Sequence, residues 1–235
     1  APLAQKYSYN NSSIVSNGEI VKETYSDCLK FMKENDVSVV TASLGGNDHE
    51  PLVKIYKEMA EFSVLLTSAG NKGSREPSSG DFNDTGIWIP VGAYHLVNGQ
   101  KVIAHYTSSG EKTVCSGFSN LNVHTHSLPW DGKSFRVTGT SFSSPMVAGQ
   151  MTLVQEFFKK KTGKTLNNDQ ARQFIIDHCD EGIHDTRTGY GLFILPHPND
   201  IDIKKYFPDW VEPVEPPTPE PPTEETKIEM FIGSR

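Results

Sequence analysis

The sequence has few cysteines, no excess of positive charge and no long apolar run. Its three cysteines, Cys28, Cys115 and Cys179, are too few and too scattered for a disulfide framework or a zinc site, so we expect all three to be free and buried. No apolar run approaches the roughly 20 residues that span a bilayer. A net charge of −7 without a basic stripe argues against nucleic acid as the main partner. What remains is a globular protein, since 235 residues with 36% hydrophobic content suffice for one sizeable core.

Composition divides the chain into three parts. We predict a folded domain over residues 1–208, a Pro/Glu-rich extended linker over 209–226, and the start of a further β-rich segment or tail at 227–235. The start of the chain lacks both an initiator methionine and a signal-peptide pattern, which indicates a processed protein or a piece of a longer one. The acidic composition and the linker favour a secreted or surface-associated protein.

Hydrophobic patterning alternates between strands and helices. Apolar residues recur at helical spacing in residues 20–35, and Pro51 opens a second helix. The runs at 37–44 and 64–68 predict buried parallel strands. Further elements are expected as strands at 87–93 and 101–106, a long helix from Ser141 to about 161, and a helix capped by Asn167 or Asn168. This rhythm predicts an α/β domain with a largely parallel sheet, in which ligands bind at the carboxyl ends of strands.

One segment, residues 139–150, places a serine between a small-residue turn and an apolar helix. Gly-Thr-Ser at 139–141 leads into Pro145 and then Val-Ala-Gly at 147–149. A helix that begins here would expose the Ser141 hydroxyl at its N-terminus, where backbone N–H groups point at developing negative charge. A turn and cap would explain the tripeptide alone, but not the proline and apolar run that follow it.

Two further motifs lie at predicted strand ends. Ser-Ala-Gly-Asn at 68–71 ends one strand, and Ser-Leu-Gly-Gly at 43–46 ends another. Together with the Gly-Thr-Ser segment, and in this order, they resemble the subtilisin-like serine proteases. Gly-Tyr-Gly-Leu at 189–192 resembles the closing strand of that family, so the resemblance covers roughly residues 1–195.

The resemblance implies a fold and a set of site residues. The fold is a three-layer α/β domain with helices on both faces of the sheet. Ser141 is the implied nucleophile, and the Asn71 side chain is the implied N–H donor to the oxyanion. The implied substrate-binding residues form the two walls of the primary specificity pocket: Ser43, Leu44 and Gly45 on one side, and Ala69 and Gly70 on the other. The first wall also pairs with the substrate as an added strand.

The sequence departs from the family at the catalytic Asp and His, which have no counterpart before Asn71. His49 is the one histidine upstream, but it follows residues 43–46, whereas the family's His precedes that strand. Residues 1–9 resemble the strand that the family places just after its His helix. We therefore expect the Asp and His on an upstream segment outside this sequence and a domain incomplete at its N-terminus. The strands near 6–9 and 37–44 would then have open edges, covered by that segment or by self-association.

Three functions remain open. The first is a serine endopeptidase that acts on peptide or protein substrates through Ser141. The second is an inactive pseudoprotease that serves as a binding or assembly module. The third is an unrelated serine hydrolase in which His124 or His126 is the base for Ser141. No cofactor is expected, and although family members often bind structural calcium, no acidic loop has a ligand spacing that predicts a site.

Overall fold

The computed structural model describes residues 5–7, 15–16, 19–20, 22–43, 50–73, 85–124 and 134–212. The elements, in chain order, are β1 (Val15–Ser16), β2 (Glu19–Ile20), α1 (Lys22–Glu34), β3 (Val39–Ala42), α2 (Glu50–Ala60), β4 (Val64–Ser68), β5 (Ile89–Val97), β6 (Gln100–Ile103), β7 (Cys115–Phe118), β8 (Leu121–His124), β9 (Ser134–Val137), α3 (Thr140–Thr162), α4 (Asn168–Asp177), a 3₁₀ turn (Pro198–Asp200) and α5 (Ile203–Tyr206).

A five-stranded sheet forms the middle layer. Strands β3, β4 and β5 are parallel neighbours, β7 pairs with β5 in parallel, and β6 returns antiparallel along the second half of β5. The strands β1 and β2 and the strands β8 and β9 form two small antiparallel hairpins. The predicted α/β fold with a largely parallel sheet is confirmed, and the strand predicted at 101–106 is present as the shorter β6.

Helices cover both faces of the sheet because successive residues of a strand face opposite sides. On β4, Leu65 packs with α1 and α2, in a cluster that includes Met32 and Tyr56. Its neighbours Val64 and Leu66 face the other layer, where the core is made by α3, α4 and the aromatic residues that follow them. All five residues of β4 are buried, which explains why the strand begins with the apolar run Val-Leu-Leu.

The edge strand β3 differs from its prediction. The run at 37–44 predicts a buried strand, but β3 is only partly buried and Thr41 is exposed. The reason is its position, because β3 pairs with β4 on one side and with no other strand of the described ranges. The strand predicted near residues 6–9 is not formed at residues 5–7, where Tyr7 packs edge-on against Phe31 of α1. Residues 8 and 9 lie outside the described part.

The cysteines are free, as predicted, but they are not equally buried. Cys115 is fully buried in β7, and burial holds the pKa of its thiol well above the usual value. Cys28 and Cys179 are only partly buried. None of the helices that the structure describes is both long and apolar enough to cross a bilayer.

A C-terminal clasp, defined here as residues 198–210, packs over the far ends of α3 and α4. Tyr206 is buried, and its ring meets those of Phe158 and Phe174 at centroid distances of 5.6 and 5.3 Å. Tyr206 Oη donates to Asp177 Oδ2 at 2.6 Å, and Lys205 Nζ lies 2.7 Å from the same oxygen. The described part ends at residue 212, so the tail at 227–235 and all but the first residues of the predicted linker lie outside it.

The Asp177 contacts predict a dependence of stability on pH. Burial alone would raise the pKa of this carboxyl, but hydrogen bonds from Lys205, Tyr206 and Gln173 outweigh it and lower the pKa. A carboxylate with a lowered folded-state pKa stabilises the fold above its unfolded pKa of about 3.9, and that stability is lost as the pH falls further. Asp177→Asn should therefore cost about 1 kcal/mol of unfolding free energy at pH 7 and less at pH 3. Urea denaturation at the two pH values measures this, and an equal cost at both would contradict it.

Candidate active site

Ser141 lies in the first turn of α3, directly after a turn that only glycine can form. Gly139, the N-cap residue, has φ 136° and ψ 152°, a conformation essentially restricted to glycine. Ser141 is partly exposed, and no residue in the described ranges hydrogen-bonds to its hydroxyl or to its backbone N–H. The turn therefore presents a hydroxyl and a backbone donor side by side at a helix N-terminus.

Asn71 follows β4 and is bound to the turn before Ser141. Its Oδ1 accepts two hydrogen bonds from Thr140, one from the backbone N and one from Oγ1, both at 2.9 Å. The Thr140 hydroxyl in turn accepts from Gly70 N at 3.1 Å. Because two donors occupy the Asn71 amide oxygen, Nδ2 is left as the free end of the side chain and can only donate. Thr140 thus fixes which end of the amide is available to a ligand.

Glycine at position 139 also leaves room for this amide. A β-carbon on Gly139 would lie 3.4 Å from Asn71 Nδ2, and the backbone angles there are strained for any other residue. We expect Gly139→Ala to lower the free energy of unfolding by about 1–3 kcal/mol, the cost of one strained residue. The matched control is Gly149→Ala, within α3, where a β-carbon meets nothing within 4 Å and should stabilise the helix by up to about 1 kcal/mol. Chemical denaturation of both variants is the measurement, and equal effects would refute the strain at Gly139.

The predicted substrate-binding residues lie partly within the described chain. Ser43, at the end of β3, donates from Oγ to Ser141 O at 3.0 Å, which joins that strand to the turn at residues 139–141. Ala69 is fully buried, and Gly70 is partly buried with φ 100°. Leu44 and Gly45 lie outside the described residues. The structure therefore brings Ser43, the end of β4 and Ser141 together, and it leaves the rest of the first wall undescribed.

Tyr106 is a residue of this region that the sequence does not point to. Its Oη accepts from Gly139 N at 2.8 Å, and its backbone oxygen accepts from Gly73 N at 2.8 Å. It comes from a weakly alternating segment, 33 residues before Gly139, and no local pattern marks it. Thr140 was within reach of sequence analysis, because it is the middle residue of the Gly-Thr-Ser motif.

The histidines considered as a base for Ser141 find no support in the backbone. In the β8–β9 hairpin, His124 is opposite Ser134, whereas Leu121 is opposite Val137, at the end nearer to Gly139. His124 is thus at the end of the hairpin that is farther from the turn at residues 139–141. His126 and His49 lie outside the described residues. Within the part of the chain that the structure covers, no group of three or more His, Cys, Asp or Glu side chains could hold a metal ion.

The strongest ion-pair network lies away from the Ser141 turn. Lys101 Nζ lies 2.8 Å from both Asp180 Oδ2 and Glu181 Oε1, and Tyr94 Oη donates to Glu181 Oε1 at 2.6 Å. Burial, together with that hydrogen bond, raises the pKa of Tyr94 to about 12. These contacts hold residues 180 and 181 against β5 and β6, and the network serves the fold.

Comparison with known sequences identifies relatives of this chain. A profile described as the subtilase family matches residues 2–191. The chain is 23% identical over 193 residues to the major intracellular serine protease of Bacillus subtilis (strain 168), covering 80% of this chain and 59% of that protein. It is 22% identical over 152 residues to an intracellular serine protease of Paenibacillus polymyxa, covering 63% of this chain and 45% of that protein. The chain thus spans about half the length of these relatives.

Solved structures share the fold. A lanthipeptide protease matches with a TM-score of 0.57 at 14% identity, over 77% of this chain and 66% of its own. The prenylagaramide maturation protease PagA matches with the same TM-score at 16% identity, over 77% and 67%. At these identities the likeness establishes the three-layer architecture and leaves the chemistry to be argued from the residues.

Proposed function

The chain belongs to the subtilase family, and from that membership we propose that it is the nucleophile-bearing part of a serine endopeptidase. The observation that carries the proposal is the pair of hydrogen bonds from Thr140 to Asn71 Oδ1. They leave Asn71 Nδ2 as a fixed donor beside a serine whose hydroxyl is held by no described residue. A preorganised donor next to an accessible hydroxyl is the arrangement that acyl transfer requires.

In the proposed reaction, Ser141 Oγ adds to the carbonyl carbon of the scissile peptide bond as a histidine takes its proton. The negative charge that develops on the carbonyl oxygen is stabilised by Asn71 Nδ2 and by the Ser141 backbone N–H. The C–N bond then breaks, the amine leaves with the proton from the histidine, and water hydrolyses the acyl-enzyme by the same steps in reverse order. Ser43 with Leu44 and Gly45 pairs with the substrate backbone, and Ala69 with Gly70 forms the facing wall of the pocket.

The histidine and its aspartate come, in this proposal, from an upstream segment outside the chain. The free edge of β3 supports this assignment, because within the described residues its backbone groups meet a strand on one side only. A strand that pairs there would lie next to Ser43, which is already bonded to Ser141 O. The segment that completes the sheet would then also deliver the base to the nucleophile. Self-association at the same edge is the competing way to cover β3.

The alternative is a catalytically inactive member of the family that acts as a binding or assembly module. It is favoured only by the absence, within the described ranges, of a base in contact with the Ser141 hydroxyl. Against it stand the Gly139 turn and the orientation of Asn71, since a binding module has no need for an accessible serine beside an amide donor.

Labelling with a fluorophosphonate separates these functions. The native full-length protein is treated with the probe and the modified residue is located by peptide mapping. Label on Ser141 supports the endopeptidase, and no label on a folded protein supports the inactive module. Label on the isolated 235-residue chain that is lost in His126→Ala would support the third function, a hydrolase with a base within this chain.

A further inference from the structure

Tyr106 joins two parts of the site that are distant in sequence. Its backbone oxygen accepts a hydrogen bond from Gly73, two residues after Asn71, and its phenol oxygen accepts one from Gly139, two residues before Ser141. Both distances are 2.8 Å. The same segment also holds the Asn71 loop through Ser108, whose N donates to Gly70 O at 2.9 Å. Tyr106 therefore connects the Asn71 loop, defined here as residues 70–73, with the nucleophile turn, defined here as residues 139–141.

The phenol group of Tyr106 is itself oriented by two side chains. Its Oη lies 2.7 Å from Ser119 Oγ and 3.0 Å from His95 Nε2. One assignment satisfies every group: Ser119 donates to Tyr94 O at 3.3 Å, Tyr106 donates to Ser119, and His95 Nε2–H donates to Tyr106. Both lone pairs of Oη are then used, one by His95 and one by Gly139 N. Ser119 is fully buried, whereas Tyr106 and His95 are partly buried, so the Ser119 side of this arrangement is the one shielded from water.

The bond to Gly139 matters because this glycine determines where Thr140 and Ser141 lie. Gly139 is buried and has a φ of 136°. Because glycine has no β-carbon, steric contacts within the residue do not hold φ at this value. Its N–H needs a partner, and among the described residues Tyr106 supplies it. Without that bond, the turn could rotate about Gly139 and shift Thr140 relative to Asn71. Small displacements of this kind reduce catalysis strongly, because the reacting atoms must be held within about 0.5 Å.

We propose that Tyr106, oriented by His95 and Ser119, is a positioning residue that holds the nucleophile turn in register with the Asn71 loop. This inference rests on the proposed function for its effect on the reaction, but not for its effect on the turn. Tyr106 does not contact the substrate in this role. It acts through Gly139 on one side and through Gly73 on the other.

The test uses Tyr106→Phe in the native full-length protein, with two readouts. We expect hydrogen–deuterium exchange at the Gly139 amide to rise about tenfold, the effect of one lost hydrogen bond. We also expect kcat for a peptide substrate, and the rate of fluorophosphonate labelling at Ser141, to fall about tenfold while KM changes less than about twofold. If Tyr106→Phe does not fold, Ser119→Ala removes the acceptor of the phenol proton and should change both readouts in the same direction.

Tyr206→Phe is the matched control. It also removes a phenol hydroxyl from a short hydrogen bond, but it packs against Phe158, about 27 Å along α3 from Thr140. It should lower stability and leave Gly139 exchange and Ser141 labelling unchanged. If Tyr106→Phe behaves in the same way, Tyr106 is only structural and the inference is wrong. If the wild-type protein does not label at all, the proposed function fails, and exchange at Gly139 still decides the role of Tyr106.

Discussion

Replacing Ser141 by alanine is expected to lower kcat for peptide hydrolysis by the full-length protein about 10⁶-fold, the loss that follows removal of the nucleophile in serine proteases of this type. The physical reason is that, in the proposed reaction, the hydroxyl oxygen is the atom that forms the acyl-enzyme. Substrate binding should change little, because the proposed substrate contacts of residues 43–45, 69 and 70 do not use this hydroxyl. Progress curves with a peptide substrate measure kcat, and an inhibition constant for a product peptide measures binding.

Ser144→Ala provides the control for this substitution. Ser144 lies three residues after Ser141 in α3, is buried, and shares a hydrogen bond of 3.0 Å with Thr41 of β3. Its loss should weaken packing between the helix and the strand and change kcat by less than about tenfold. Activity retained by Ser141→Ala, with labelling at a different residue, would place the nucleophile elsewhere in the protein.

Asn71→Ala should produce the second large effect, a fall in kcat of about 10²–10³-fold with little change in KM. In the proposed reaction the amide donor acts on charge that develops only in the transition state, so substrate binding should not depend on it. Steady-state kinetics of the full-length variant separate the two constants. A rise in KM with kcat unchanged would mean that Asn71 binds substrate and has no role in stabilising the oxyanion.

Thr140 extends this prediction to a residue that orients the donor. Thr140→Val removes the hydroxyl bond to Asn71 Oδ1 and the bond that the hydroxyl accepts from Gly70 N, and it keeps the bond from the backbone N to Asn71 Oδ1. We expect a smaller loss of kcat, about tenfold, and no further loss when Thr140→Val is added to Asn71→Ala, since the two residues act as one unit. Thr140→Ser keeps the hydroxyl and is the control. Additive losses would show that Thr140 contributes to the reaction separately from Asn71.

The parts of the fold that could be predicted are those with local signals in the sequence. Strand β4 begins with the apolar run Val-Leu-Leu, and it begins and ends where the pattern predicts. The helix α4 starts at a capping box formed by Asn167 and Gln170, which a polar residue followed by Gln three positions later indicates. The long helix after the Gly-Thr-Ser motif was predicted from its proline and apolar residues, and it is present as α3.

Strand β7 was missed because its sequence carries no strand signal. Cys115–Phe118 reads Cys-Ser-Gly-Phe, with small residues in place of the β-branched ones that predict strands. The small residues are required by the close packing of α3, since a β-carbon on Gly117 would lie 2.9 Å from Ser143 O. This constraint comes from a helix later in the chain. A prediction made from neighbouring residues alone therefore cannot include this constraint.

The network around Tyr106 was missed for a related reason. His95 lies on β5, Ser119 follows β7, and Tyr106 lies between β6 and β7, so only the pairing of these strands brings the three together. In the sequence, no motif links His95 to Tyr106 or Ser119. The motif at 139–141 identified the serine, but the residues that hold this turn in place depend on the topology of the sheet.

The C-terminal clasp sets a limit on how far the chain can be trimmed by proteolysis. Tyr206 and Phe207 cover Phe158, so a cut before them would expose aromatic core and remove the partners of Asp177. Trp210 makes the last of these contacts, from Nε1 to Lys161 O at 3.2 Å. A cut just after Trp210 leaves every contact of the clasp in place. Digestion of the folded protein should therefore leave a resistant C-terminus at or shortly after this tryptophan.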